Sequence, residues 1–280
     1  MNTKHRFLLF FLLPFLLINQ AYASLIISPL RIVFDERDRS ASVVVVNSGK
    51  ETTSYRMSLT NLKQFETGEY KALDPEKDDV SNMYFADKML RFSPRQVTLE
   101  PGERQTIRIS LRKPSDIEDG EYRTHLKFTE LPKPVAFDPN PSAPRLKLFM
   151  LTGFTIPIQV IQGEIAINSG IEKVELKSYQ DKDDNKRWQM MIDLKRSGDF
   201  ASVGKLSLFW APNESQTFKR LSFLDNATLY REVSKRQFSI VIPEGEAKPG
   251  VYKVVYEGTR PFKTNVIDQT TVSYPQLPNP

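Results

Sequence analysis

Few side chains in this sequence have the type and spacing that covalent chemistry requires. Beyond residues 1–23, which read as a leader, the chain holds a single histidine, His125. It stands in Tyr122-Arg123-Thr124-His125-Leu126-Lys127-Phe128, where alternation assigns it to the polar, solvated face of a strand. A Ser/His/Asp site would have to use this imidazole, but no Gly-x-Ser-x-Gly elbow accompanies it, and a histidine metal site lacks partner ligands. Asp181, Asp183 and Asp184 resemble a calcium loop only superficially. Lys182, Lys186 and Arg187 interrupt them and the glycine and distal glutamate are missing, so they read as a polar hairpin tip. Cysteine is absent, which removes thiol nucleophiles, redox pairs, cysteine metal sites and disulfides. Carboxylates are plentiful, but the pairing a glycosidase needs is spatial and invisible in a sequence. The expectation is a protein that is not an enzyme and carries no cofactor, no catalytic residue and no metal.

The leader has the three parts of a signal peptide. Lys4 and Arg6 open it, Phe7 to Ile18 run apolar apart from Pro14, and Ala21-Tyr22-Ala23 gives the small-x-small pattern that a signal peptidase reads before Ser24. The apolar run falls short of the residues needed to cross a hydrocarbon core of ~30 Å, so cleavage after Ala23 and export are expected, with no membrane-embedded segment afterwards. The remaining chain suffices for two domains that each bury a core. Its formal charge is only +5 including the leader, with basic and acidic residues interleaved, and a nucleic-acid binder would concentrate its bases in a patch.

What must position any binding residue is a series of short strands. Period-two alternation marks Leu30 to Phe34, Ala41 to Asn47, Tyr55 to Thr60, Gln105 to Arg112 and Tyr122 to Thr129. Turn residues separate them at Asn47-Ser48-Gly49, Glu66-Thr67-Gly68, Glu100-Pro101-Gly102 and Glu118-Asp119-Gly120. Leu131 to Arg145 then carries five prolines in fifteen residues, which no hydrogen-bonded ladder tolerates, and reads as a loop. After it, Leu146 to Ile161 is apolar on both faces. That pattern suits a central strand, whereas its place behind a long loop suits a sheet edge.

A second strand set follows Gly163: Ile171 to Tyr179, Trp188 to Lys195, Lys205 to Trp210, Phe218 to Leu224, Gln237 to Ile242, Val251 to Tyr256 and Asn265 to Val272. No sustained helical spacing occurs. Gly120-Glu121-Tyr122 and Gly250-Val251-Tyr252 repeat one device, a turn, one residue and a tyrosine opening a strand, in the manner of the tyrosine corner of immunoglobulin-like folds. The expected fold class is all-β, with two immunoglobulin-like β-sandwich domains in tandem. The first covers residues 24–162, with 146–161 as its last strand, and the second covers 163–280.

Leu30-Arg31-Ile32-Val33-Phe34-Asp35, Ala41 to Asn47, and Ser93-Pro94 through Leu99-Glu100-Pro101-Gly102 to Gln105 and Arg108 are together similar to the periplasmic pilus-assembly chaperones of Gram-negative bacteria. The order of signal peptide, first domain, proline-broken loop, apolar strand and second domain agrees with that resemblance. The resemblance implies a periplasmic chaperone that lends an apolar edge strand to a pilus subunit whose own sandwich lacks one, then delivers it to an outer-membrane usher. Leu146, Leu148 and Met150, at two-residue spacing, are the implied inserting side chains. Arg31 occupies the place of the family's basic residue that binds the subunit's terminal carboxylate, for which a guanidinium fork is suited. The family's second cleft residue, a lysine near the end of the lent strand, is missing from Ile156-Pro157-Ile158-Gln159-Val160-Ile161, and Arg123 is the suggested substitute.

Two alternatives from other classes are weighed. A structural pilus subunit or surface adhesin would carry an alternating donor extension before its first domain, whereas here a strand begins almost at once at Leu25. A carbohydrate-binding module would expose an aromatic platform, whereas Trp188 and Trp210 fall at positions that strand periodicity assigns to the core.

Overall fold

The computed structural model describes residues 25–74, 76–81, 83–132, 151–259 and 266–278. The chain is all-β, and among the described residues the one helical element is a 3-10 turn at Asp87–Met89. Strands β1 (Leu25–Ser28), β3 (Ser40–Asn47), β9 (Arg104–Leu111) and β7 (Leu90–Ser93) form one sheet, in the order β1-β3-β9-β7. A second sheet has the order β2 (Ile32–Phe34), β11 (Gly153–Gln162), β10 (Gly120–Glu130), β4 (Thr53–Thr60) and β8 (Gln96–Leu99). Between β4 and the 3-10 turn, β5 (Leu62–Gln64) and β6 (Tyr70–Ala72) make a hairpin of their own.

Alternation decides which side chains fill this first sandwich. Val43 and Val45 of β3, and Ile107 and Ile109 of β9, point inward. They share one core with Tyr55 and Met57 of β4, Leu126 and Phe128 of β10, and Ile156 and Ile158 of β11. Burying each such side chain contributes about 1.5–3 kcal/mol, so a core of this size stands without disulfides.

The strand read from Leu30 to Phe34 is shorter, β2 alone at Ile32–Phe34, and a separate strand, β1, precedes it. β1 pairs antiparallel with β3 in one sheet, and β2 pairs parallel with β11 in the other. The chain switches sheets across Pro29 to Arg31, which fixes Arg31 one residue ahead of the Ile32–Ile158 pair and leaves Leu30 68% exposed.

The second sandwich stacks β12 (Asn168–Gln180), β13 (Lys186–Ser197) and β16 (Lys235–Val241) against β15 (Lys219–Leu229), β14 (Ser202–Ala211), β17 (Gly250–Gly258) and β18 (Asp268–Tyr274). Met190, Ile192, Leu206, Leu208, Tyr252, Val254 and Tyr256 lie in its core, with Trp188 and Trp210 packed against it. Both tyrosine corners are present. Tyr122 Oη donates to the Glu118 carbonyl at 3.1 Å and Tyr252 Oη to the Lys248 carbonyl at 2.8 Å, each four residues back. The glycines that precede them have matching backbones, φ +145° at Gly120 and +146° at Gly250, a region that L side chains rarely adopt.

Candidate functional site at the junction of the two sandwiches

Where the sandwiches meet, a small apolar cluster of Ile161, Phe200, Ala201, Val203 and Tyr230 is ringed by buried polar groups. Glu121 on β10 is one of them. Its Oε1 accepts from Gln159 Nε2 and its Oε2 from the Ala201 backbone N–H, both at 2.8 Å, so one carboxylate ties β10, β11 and the second sandwich together. Burial pushes this carboxyl above its usual range, against the pull of Arg123 and of the two hydrogen bonds. Arg123 lies two residues on. It pairs with Glu232 of the second sandwich at 2.5 Å, donates to the Leu62 carbonyl at 3.0 Å, and sits 3.6 Å from the Tyr230 ring centroid. Burial, the largest single effect, would disfavour its charge, but Glu232, Tyr230 and Glu121 together outweigh it and the guanidinium is held charged. Arg231 pairs with Asp199 of its own sandwich at 2.8 Å and reaches the first sandwich at Tyr84, whose ring centre lies 3.8 Å from the guanidinium.

Beside this frame opens a cleft of about 360 Å³, lined from the first sandwich by Arg31, Leu62, Tyr70, His125 and Pro157 and from the second by Asn226, Thr228, Tyr230 and Arg236. Its floor is cationic. Arg31 Nη2 donates to Thr228 Oγ1 at 3.0 Å, and Arg236 Nη1 to the Thr228 carbonyl at 2.9 Å. Thr228 Oγ1 donates in turn to the Asn226 carbonyl at 2.9 Å. Three nitrogens of the lining, Arg31 Nε, Arg236 Nε and His125 Nδ1, are buried with no hydrogen-bond partner among the described residues. Such groups are costly to leave unsatisfied, and all three belong to residues that line one cavity.

The suggested site residues divide three ways. Arg31 lines the cleft with its Nε buried and unpartnered. Arg123, suggested as the second base, does not line it: the Arg123 side chain is 6% exposed and its charge is matched by Glu232. Leu146, Leu148 and Met150 lie outside the described residues. The strand they lead into is described from Gly153 onward. β11 pairs with β10 along its whole length, but meets β2 only at Ile158–Val160, so, among the described residues, 153–157 have a partner on one side alone. A proline, having no N–H, fits such a stretch, and the strand continues through Pro157 rather than breaking there.

His125 corrects the sequence reading. It is 3% exposed, not solvated, and burial followed by the nearby Arg123 charge lowers its pKa to about 3. Alternation does place it opposite the core face, but β10 is the middle strand of five and its second face is covered in turn. Tyr70 of the hairpin stacks edge-on over it at 6.2 Å. Arg236, a further cation of the cleft, escaped sequence reasoning because the strand was read only from Gln237, although Arg236 alternates with the buried Phe238 and Ile240 on the inward face of β16. Only the folding of the second sandwich against the first brings it beside Arg31.

No family model matches the chain, and no curated protein matches it. Among solved structures it is similar to the class 5 fimbriae chaperone CfaA, with a TM-score of 0.42 and 15% identity over 89% of this chain and 98% of that one. The CupB2 chaperone of Pseudomonas aeruginosa gives a TM-score of 0.43 and 12% identity over 89% and 98%. A chain of the Salmonella enterica SafA pilin in complex with the SafB chaperone gives 0.42 and 10% over 89% and 96%.

Proposed function

We propose that the protein is a non-enzymatic periplasmic chaperone that binds pilus subunits by lending them the apolar strand of residues 146–161, and that it delivers them to an outer-membrane usher. The observation that carries the reading is the place of Arg31. It stands at the mouth of β2, in a cleft between two sandwiches, beside the half-paired stretch of β11 that continues the apolar segment. A client strand added at that stretch would end its backbone ladder near an unneutralised guanidinium, which suits a chain terminus ending in a carboxylate. In this reading the first unit ends with β11 at residue 162 and the second begins at Gly163. The leader of residues 1–23 directs export, and Leu146, Leu148 and Met150 enter the client's open core.

The test is co-purification from the periplasm of the tagged protein with the pilin-like product of a neighbouring gene, using wild type, Leu148→Asp and Arg31→Ala. A one-to-one complex that both substitutions abolish is expected. Equal capture by all three would remove the site assignment, and absence of any pilin-like partner would remove the chaperone reading.

A further inference from the structure

Resting on that reading, we infer that Arg236 is the second cation of the cleft, so that a client's terminal carboxylate is gripped between Arg31 from the first sandwich and Arg236 from the second.

The argument begins with charge. Two other arginines of the junction are neutralised, Arg123 by Glu232 and Arg231 by Asp199. Arg31 and Arg236 have no carboxylate within ion-pair distance among the described residues. Instead both are tethered to one residue, Thr228, through its hydroxyl and its carbonyl. Two like charges are thereby held together in a partly desolvated cavity, an arrangement that favours an anion between them. Each keeps a buried Nε donor free of any partner, and a guanidinium fork presents such donors in the plane that a carboxylate accepts.

Arg236 is also built into place. Its guanidinium lies 4.5 Å from the Phe238 ring centre. The hairpin turn above it carries Gly68 at φ +90° and packs closely against the guanidinium, which a Cβ at that position would touch. His125 lines the same cavity. A peptide terminus offers a carboxylate, the acceptor that the two guanidinium groups lack.

The test uses the full mature protein and a fluorescent peptide of the last residues of the co-purifying subunit, made as the free acid and as the amide. Wild type should bind the free acid at least about thirtyfold more tightly than the amide. Arg236→Ala should lose most of that preference, as Arg31→Ala does, while Arg236→Lys restores part of it and the amide peptide is bound alike by all. Thermal melts of each variant separate lost binding from lost folding. If wild type captures the subunit and depends on Arg31 but not on Arg236, this inference falls and the chaperone reading stands. If acid and amide bind equally, or inorganic phosphate competes as well as the free-acid peptide, the cleft is not a carboxylate site and the inference falls too. Failure of wild type to take any subunit removes both.

Discussion

His125 shows how far one side chain's surroundings depart from its local pattern. Held at a pKa of about 3 against an ordinary 6.5, it is neutral in the fold where an unfolded chain would protonate it. A depressed folded pKa gives stability that is present above about pH 6.5 and is lost as pH falls towards about 3, at about 1.4 kcal/mol per pH unit. Glu121 acts in the opposite sense, since its raised pKa gives stability that is present below 4.5 and declines above it. The histidine is therefore isolated by difference. Urea midpoints of wild type and His125→Gln, measured between about pH 7 and about pH 4, should converge as the pH falls; parallel curves would show that the buried imidazole is not the cause. The residue types of the site were legible in the sequence, but their burial was not. Arg31 stands out by its neighbours in β2, whereas Arg123 and His125 are ordinary polar positions of a strand until a second layer covers them.

At the scale of elements, period two located most of the strands, because each buries one face and the alternation records it. The exceptions have physical causes. The strand read from Leu30 starts only at Ile32, because a switch between sheets leaves no mark on side-chain polarity, only Pro29 at the crossing. The β5–β6 hairpin is three residues on each side, too short for a period to show, although its Glu66-Thr67-Gly68 turn is plain. The paired corners were legible because their chemistry is local: a glycine at positive φ and a tyrosine that reaches four residues back. Gly250→Ala should therefore cost about 1–3 kcal/mol in a chemical denaturation series, since the new Cβ would meet the Ala211 carbonyl at 2.5 Å as well as strain the backbone. Gly102→Ala, at φ +77° with open space around it, carries only the backbone part of that penalty and should cost less.

Across the whole molecule, the two sandwiches are joined by a buried frame rather than by a bare linker. Glu121, Arg123, Glu232 and Gln64 each reach from one unit to the other: Gln64 donates its backbone N–H to Glu232 at 2.8 Å and accepts from the Tyr230 N–H at 3.0 Å. Glu232→Gln keeps the shape of this frame but leaves the Arg123 charge buried and unmatched, which typically costs about 3–5 kcal/mol. Calorimetry should show one transition in wild type and a broadened or split one in the variant, because the weakened junction no longer couples the cores. A single undisplaced transition would mean that the frame adds nothing to that coupling.

The long ladder between β10 and β11 bears on mechanics. Ten residue pairs, from Gly120–Gln162 to Thr129–Gly153, hold the strand that follows residues 146–152. Its far end is pinned again by Gln159 on Glu121 and by Lys113 Nζ on the Ile161 carbonyl at 3.4 Å. A pull along the strand axis on the segment upstream would load those rungs together in shear instead of opening them one by one, so tension at that segment is carried into the body of the first sandwich before any rung gives way.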